Sequence, residues 1–172
     1  MNTTLILVGI GSNRGDSTAT VLASIDALRS FASSGFCASS LWRTSPVDCP
    51  PDAGDFINAV VAFEPRRGLT PETLLAALKY LERRFGRTAA PVRNAPRELD
   101  LDLLVFGAQV RHGARFVLPH PRATQRRFVL APAAEIAADF CWPGQSGTVA
   151  ELLAALPTGE RVERLCTDAR EP

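Results

Sequence analysis

From Arg97 to Leu104 the chain reads RELDLDLL, with acids and leucines alternating from Glu98 to Leu103, and this alternation constrains the fold more than any other feature. In a β-strand successive side chains point to opposite faces, so Leu99, Leu101 and Leu103 share one face while Glu98, Asp100 and Asp102 share the other. Such a strand borders a core on one side and stands carboxylates side by side on the other. Their repulsion is tolerable where the face is wet, and it becomes useful where a hard cation sits between them. A solvated face explains an isolated D-x-D pair as readily as a metal site does, so the remainder of the chain has to decide.

With 172 residues, the chain is long enough to bury about 70% of its unfolded surface, and one domain spanning 1–172 is expected. The 19 basic and 18 acidic residues leave a net charge of +1, too little for a strong whole-molecule pull toward nucleic acid or an anionic membrane. Any preference for anions is local. Arginines crowd between positions 83 and 127, and Lys79 is the only lysine; a forked guanidinium suits polyphosphate. Cys37, Cys49, Cys141 and Cys166 lack C-x-x-C spacing and a companion histidine pattern, so reduced thiols in a cytoplasm are expected rather than a zinc site or disulfide framework. Residues 1–10 are apolar but lack a basic start, as suits a first core strand rather than a signal peptide. No stretch nears the roughly 20 apolar residues of a membrane helix.

Residues 4–11 read as a buried strand closed by a Gly-Ser-Asn turn. Asp16 or Ser17 caps a helix whose apolar stripe is Val21, Leu22, Ile25, Leu28 and Phe31. Residues 36–44 and 55–64 read as two strands around a long proline-rich loop. Thr70 as cap and Pro71 in the first turn open a second helix, with Leu74, Leu75, Leu78, Leu81 and Phe85 as its stripe and Gly86 as its stop. The aspartate strand follows, then a turn at Gly107, a short helix near Phe128, another over 149–156 and a last strand over 161–166. The order strand, helix, strand, strand, helix, strand predicts an α+β fold, a ferredoxin-like split β-α-β sandwich: a mostly antiparallel sheet with helices on its faces.

Three features converge on one chemistry. Asp100 and Asp102 suit magnesium, which is commonly held by one or two carboxylates plus substrate phosphates. Arginines before and after them can neutralise such phosphates. Phe56, Asn58 and Phe128 can stack on and hydrogen-bond a flat heterocycle. Taken alone, each phenylalanine is more often core than platform, but Asn58 faces the same side of its strand as Phe56, and an amide beside a ring is harder to assign to a core.

Six blocks, GIGSN (9–13), WRTSPV (42–47), DFINAVVAFE (55–64), LERRFGR (81–87), PRELDLDLLVFG (96–107) and LPHPRATQRRFVLAPAAEI (118–136), resemble the 6-hydroxymethyl-7,8-dihydropterin pyrophosphokinase family of folate synthesis, in the family's order. The resemblance implies an ATP-dependent diphosphotransferase that moves the terminal pyrophosphate of ATP to the hydroxymethyl group of the reduced pterin, giving AMP. It implies two magnesium ions on Asp100 and Asp102, with Arg87 and Arg97 completing the catalytic set. The pterin would lie between Phe56 and Phe128, Asn58 reading its amide edge and Thr44, Ser45 and Val47 completing the pocket. Nucleotide contacts would come from Arg87, Arg97, Arg115, His120 and Arg126, with Lys79 and Glu82 as matched helix positions. For His120 the bland alternative is a loop histidine between Pro119 and Pro121. ATP and the pterin are then the partners of a monomeric enzyme that binds neither nucleic acid nor membrane.

The chain departs from the family in its loops. Ala89 stands where a second arginine is usual, Asn94-Ala95-Pro96-Arg97 replaces Trp-Gly-Pro-Arg, and Asp48 replaces a glycine. One lost charge-assisted phosphate contact costs about 1.5–3 kcal/mol, roughly tenfold to a hundredfold in rate, unless Arg93 substitutes. Three readings follow. The first is an active pyrophosphokinase; the second is a paralogue that binds pterin or nucleotide with weak, altered or no transfer. The third is a nucleic-acid module on the same sheet, against which the near-zero charge and the two aspartates argue.

Overall fold

The first apolar run forms β1 (Ile6–Ser12), and α1 (Ser17–Leu28) follows with the Asp16 side chain accepting from the Ala19 N–H at 3.0 Å. The computed structural model describes residues 4–46, 54–86, 97–113 and 116–165. Next come β2 (Ala32–Ala38), β3 (Trp42–Thr44) and β4 (Phe56–Pro65). Then α2 (Pro71–Arg84) starts on a Thr70–Thr73 capping box and stops at Gly86, whose φ of +93° favours glycine. After it lie β5 (Asp100–Phe106), the short pair β6 (Arg111–His112) and β7 (Val117–Leu118), α3 (Arg127–Ala137), α4 (Val149–Ala155) and β8 (Val162–Arg164).

The main sheet runs β5-β1-β4-β3-β8, with β2 also on β4 and every pairing antiparallel. Because β2 and β3 take successive stretches of β4, they act as one interrupted strand, and the ferredoxin-like order results. Alternate residues of each strand divide between two cores, except where β5 bulges at Leu104. Ile6, Val8, Ile10, Val61, Phe63, Leu101 and Leu103 pack with α1 and α2, while Leu7, Val60, Leu104 and Val105 pack with α3 and α4. Leu22 is a correction to the expected α1 stripe: it is 48% exposed. The helix meets the sheet along Val21, Ile25 and Leu28, and Leu22 lies about 100° around the axis from Val21, off that line.

Two bulges decide which side chains share the second face. Between the pairs Ala38–Val61 and Trp42–Asn58 the β2–β3 strand carries one extra residue, which reverses the alternation and puts Trp42 and Thr44 on the face of Asn58 and Phe56. In β5 the pairing passes from Val8–Leu103 to Leu7–Val105, so Leu104 is the extra residue. Its carbonyl, released from the ladder, accepts the His120 N–H at 2.9 Å.

Candidate active site

On the α3 side of the sheet, register sets two rows across three strands: Asp102, Gly9, Val60 and Asp100, Gly11, Asn58. Lacking side chains, Gly9 and Gly11 leave a floor between the carboxylates and the Asn58 amide, and a cavity of about 240 Å³ stands on it. A Cβ on Gly11 would lie 3.0 Å from Asn58 Oδ1, and one on Gly9 would lie 3.4 Å from the Leu104 side chain. The approach is tight at Gly11, where the Asn58 amide would have to give by a few tenths of an ångström, and close to ordinary contact at Gly9. The buried Asn58 Nδ2 donates to Thr44 Oγ1 at 2.7 Å, and Phe56, Phe128 and Ser45 stand around that pair in the cavity wall. Gly11→Ala is expected to displace the Asn58 amide and break its bond to Thr44. A hydrogen bond is worth about 0.5–1.5 kcal/mol net, so heterocycle affinity should fall roughly threefold to tenfold, which a fluorescence titration with a pterin measures.

The acidic wall is braced from both ends. Arg97 Nη1 donates to Asp100 Oδ2 at 2.7 Å, while the Arg97 backbone is mounted on Asn13, its N–H donating to Asn13 Oδ1 at 2.8 Å and its carbonyl accepting from the Asn13 N–H at 3.1 Å. Between the aspartates, Leu101 belongs to an edge strand whose outward backbone groups have no strand partner among the described residues. Its N–H donates to Glu82 Oε1 at 2.8 Å, and Lys79 Nζ donates to Glu82 Oε1 at 2.8 Å and to the Leu101 carbonyl at 3.4 Å. Glu82 is 2% exposed and does not line the cavity; its carboxylate holds the strand that presents the pair. Glu98 precedes β5 and pairs with Arg14 at 3.1 Å, so it does not extend the acidic row.

Basic groups line the same cavity beside the acidic pair. They are His120, Arg122 and Arg126, and α3 opens on Arg126, whose own side chain makes no cap hydrogen bond to the first N–H groups. A helix N-terminus with arginines beside it favours an anion. His120 Nδ1 accepts from the Arg122 N–H at 3.3 Å, which leaves the ring proton on Nε2 as a donor. Burial lowers the His120 pKa from its ordinary 6.5; Arg126 and Arg122 act in the same direction, against Asp102 and Asp100. The unfolded chain therefore takes this proton more readily, so folding stability declines as pH falls below 6.5 and the effect disappears above it. An NMR titration of the ligand-free protein should place the His120 midpoint below 6.5; a midpoint above that value would contradict a buried, neutral ring.

A sequence profile of the 7,8-dihydro-6-hydroxymethylpterin-pyrophosphokinase family matches residues 7–138. The chain belongs to that family. Family members are diphosphokinases, so the chain is an enzyme of that class. Relatives named 2-amino-4-hydroxy-6-hydroxymethyldihydropteridine pyrophosphokinase include those of Methylorubrum extorquens and Pseudomonas aeruginosa. The first is 40% identical over 159 residues, 91% of this chain and 97% of the relative; the second is 37% identical over 161 residues, 93% and 96%. The crystal structure of wild-type Plasmodium falciparum HPPK-DHPS superposes with a TM-score of 0.68 at 12% identity, over 88% of this chain and 44% of that one. That likeness concerns the fold.

Of the residues singled out in the sequence, the cavity gathers Thr44, Ser45, Phe56, Asn58, Lys79, Arg97, Asp100, Asp102, His120, Arg126 and Phe128. Val47, Arg87 and Arg115 lie outside the described residues, as do Ala89, Arg93 and Asn94. Gly9, Gly11 and Arg122 were not anticipated as wall residues. The family block GIGSN held the signal for the two glycines, since glycine weakens a strand interior unless something must approach it closely.

Proposed function

We propose that this protein transfers the terminal pyrophosphate of ATP, with magnesium, to the hydroxymethyl group of 6-hydroxymethyl-7,8-dihydropterin, releasing AMP. One observation carries the reading: a single glycine-floored cavity places an acidic pair, a basic wall and an aromatic–amide slot around the same space. Among the described residues no three His, Cys, Asp or Glu side chains cluster as a metal site. Two carboxylates without a third suit magnesium, which takes its remaining oxygens from phosphates and water; two ions would be held by Asp100 and Asp102. Magnesium supplies charge neutralisation and in-line alignment of a phosphoryl group.

The chain's own groups do the rest. Asn58 and Thr44 fix the pterin edge, Phe56 and Phe128 cover its faces, and His120 Nε2–H, Arg122, Arg126 and the open end of α3 bind phosphate oxygens. Arg97, neutralising Asp100 in the free protein, turns to the polyphosphate. The pterin oxygen bonds to the β-phosphorus as the bond from that phosphorus to the α-bridging oxygen breaks; AMP keeps the electron pair and the hydroxyl proton passes to solvent. The cavity lies below the about 300–1,000 Å³ usual for ligand pockets, so it suits one heterocycle, with the nucleotide reaching along the basic wall.

Ala89 and Asn94 favour a second reading, in which the site binds but transfers poorly. Purified protein with saturating ATP, magnesium and the pterin is expected to release AMP and pterin diphosphate one for one. Pterin binding without AMP release would instead establish the second reading.

A further inference from the structure

A second network lies outside the cavity, and all of it converges on Glu135 of α3. Glu135 Oε1 accepts from Ser40 Oγ at 2.6 Å and Arg164 Nη2 at 2.8 Å, while Oε2 accepts from the Ser40 N–H at 3.0 Å and Trp42 Nε1 at 3.1 Å. Arg164 Nε also donates to Ser40 Oγ at 2.9 Å. The donors come from the β2–β3 interruption, from β3 and from β8, so this one carboxylate ties the α3 layer to the sheet.

Glu135 follows Phe128 by seven positions, about two helical turns, so both side chains stand on the same side of α3. The start of this helix is weakly held by its own backbone. Its N-cap residue makes no side-chain cap hydrogen bond, and Pro132 inside it supplies no N–H for the Phe128 carbonyl. Apolar packing through Val129, Leu130 and Ala133 also attaches it, but such packing resists separation while directing orientation poorly. Four hydrogen bonds on an ionised acceptor are directional and stronger than neutral ones. Their far end is Trp42, which pairs with Asn58 and stands two residues before Thr44. The network therefore spans both walls of the slot.

We infer that Glu135 is a positioning residue that sets the spacing between Phe128 and the Phe56–Asn58–Thr44 wall, and so controls pterin affinity without touching the pterin. The inference rests on the pterin placement proposed above. Glu135→Ala should weaken pterin binding about tenfold, as expected for losing directional charge-assisted bonds, in calorimetry with a non-hydrolysable ATP analogue and magnesium. Affinity for the analogue itself should change less than about twofold. Trp42→Phe and the exposed Arg164→Met, each removing a single donor side chain, should show smaller losses of the same selectivity, and they keep the test open if Glu135→Ala does not fold. Equal losses for pterin and nucleotide, or a lowered melting temperature with pterin affinity intact, would overturn the positioning role. Phe128→Ala measured alongside separates the two ideas. If it weakens pterin binding and the network variants do not, the positioning role falls and the pterin placement stands. If neither does, the placement itself falls.

Discussion

Asp102→Ala is expected to abolish measurable pyrophosphate transfer, a loss of at least about a thousandfold, since a metal that neutralises phosphoryl charge contributes several kcal/mol and each 1.36 kcal/mol is tenfold. Asp102 is the cleaner of the two carboxylates to remove, because Asp100 also holds Arg97 at 2.7 Å. The fold should survive. Asp102 is half-buried on a strand fixed from the other face by Leu101 and Leu103, and deleting one of two neighbouring like charges relieves repulsion. A melting temperature equal to or above that of the unmodified protein, together with loss of magnesium-dependent nucleotide binding, is the expected pair of results. An Asp102→Ala protein that releases AMP at the original rate would remove the acidic pair from the mechanism.

Phe128→Ala should produce the second large effect, and a selective one. Stacking of a flat base on an aromatic side chain is worth about 1–3 kcal/mol by alanine substitution, so pterin affinity should fall roughly fivefold to a hundred-and-fiftyfold. Nucleotide affinity should change little. Phe128 also packs against the second core, so some stability will be lost, and the ratio of pterin to nucleotide dissociation constants is the quantity to read. Equal losses for both ligands would indicate damage to α3 rather than loss of a platform.

Much of this architecture is written locally in the chain. Thr70, Pro71 and Gly86 bound α2 through caps that act within one turn. The alternation around Asp100 and Asp102 orients β5 because each residue's face follows from its neighbours. The strand expected over 36–44 shows where local reading stops. It begins at Ala32 and breaks before Trp42, because pairing along β4, an element distant in sequence, decides where the ladder runs and where it slips.

The candidate site divides along the same line. Residue chemistry was legible: paired carboxylates, clustered arginines and an amide beside a ring. The helix positions of Lys79 and Glu82 show what was not. Both face the same edge strand, yet Lys79 reaches the cavity while Glu82 turns inward to the Leu101 N–H, and no spacing rule separates those fates.

The sequence by itself determined the order of elements, their caps and which strand carries the acids, since those depend on interactions a few residues long. Only the tertiary structure decided that Thr44 joins Asn58, that Leu104 releases a carbonyl to His120, and that Glu135 links α3 to three separate segments. Each of these depends on a bulge or a hydrogen bond between chain segments far apart in sequence, whose geometry exists only once the sheet has assembled.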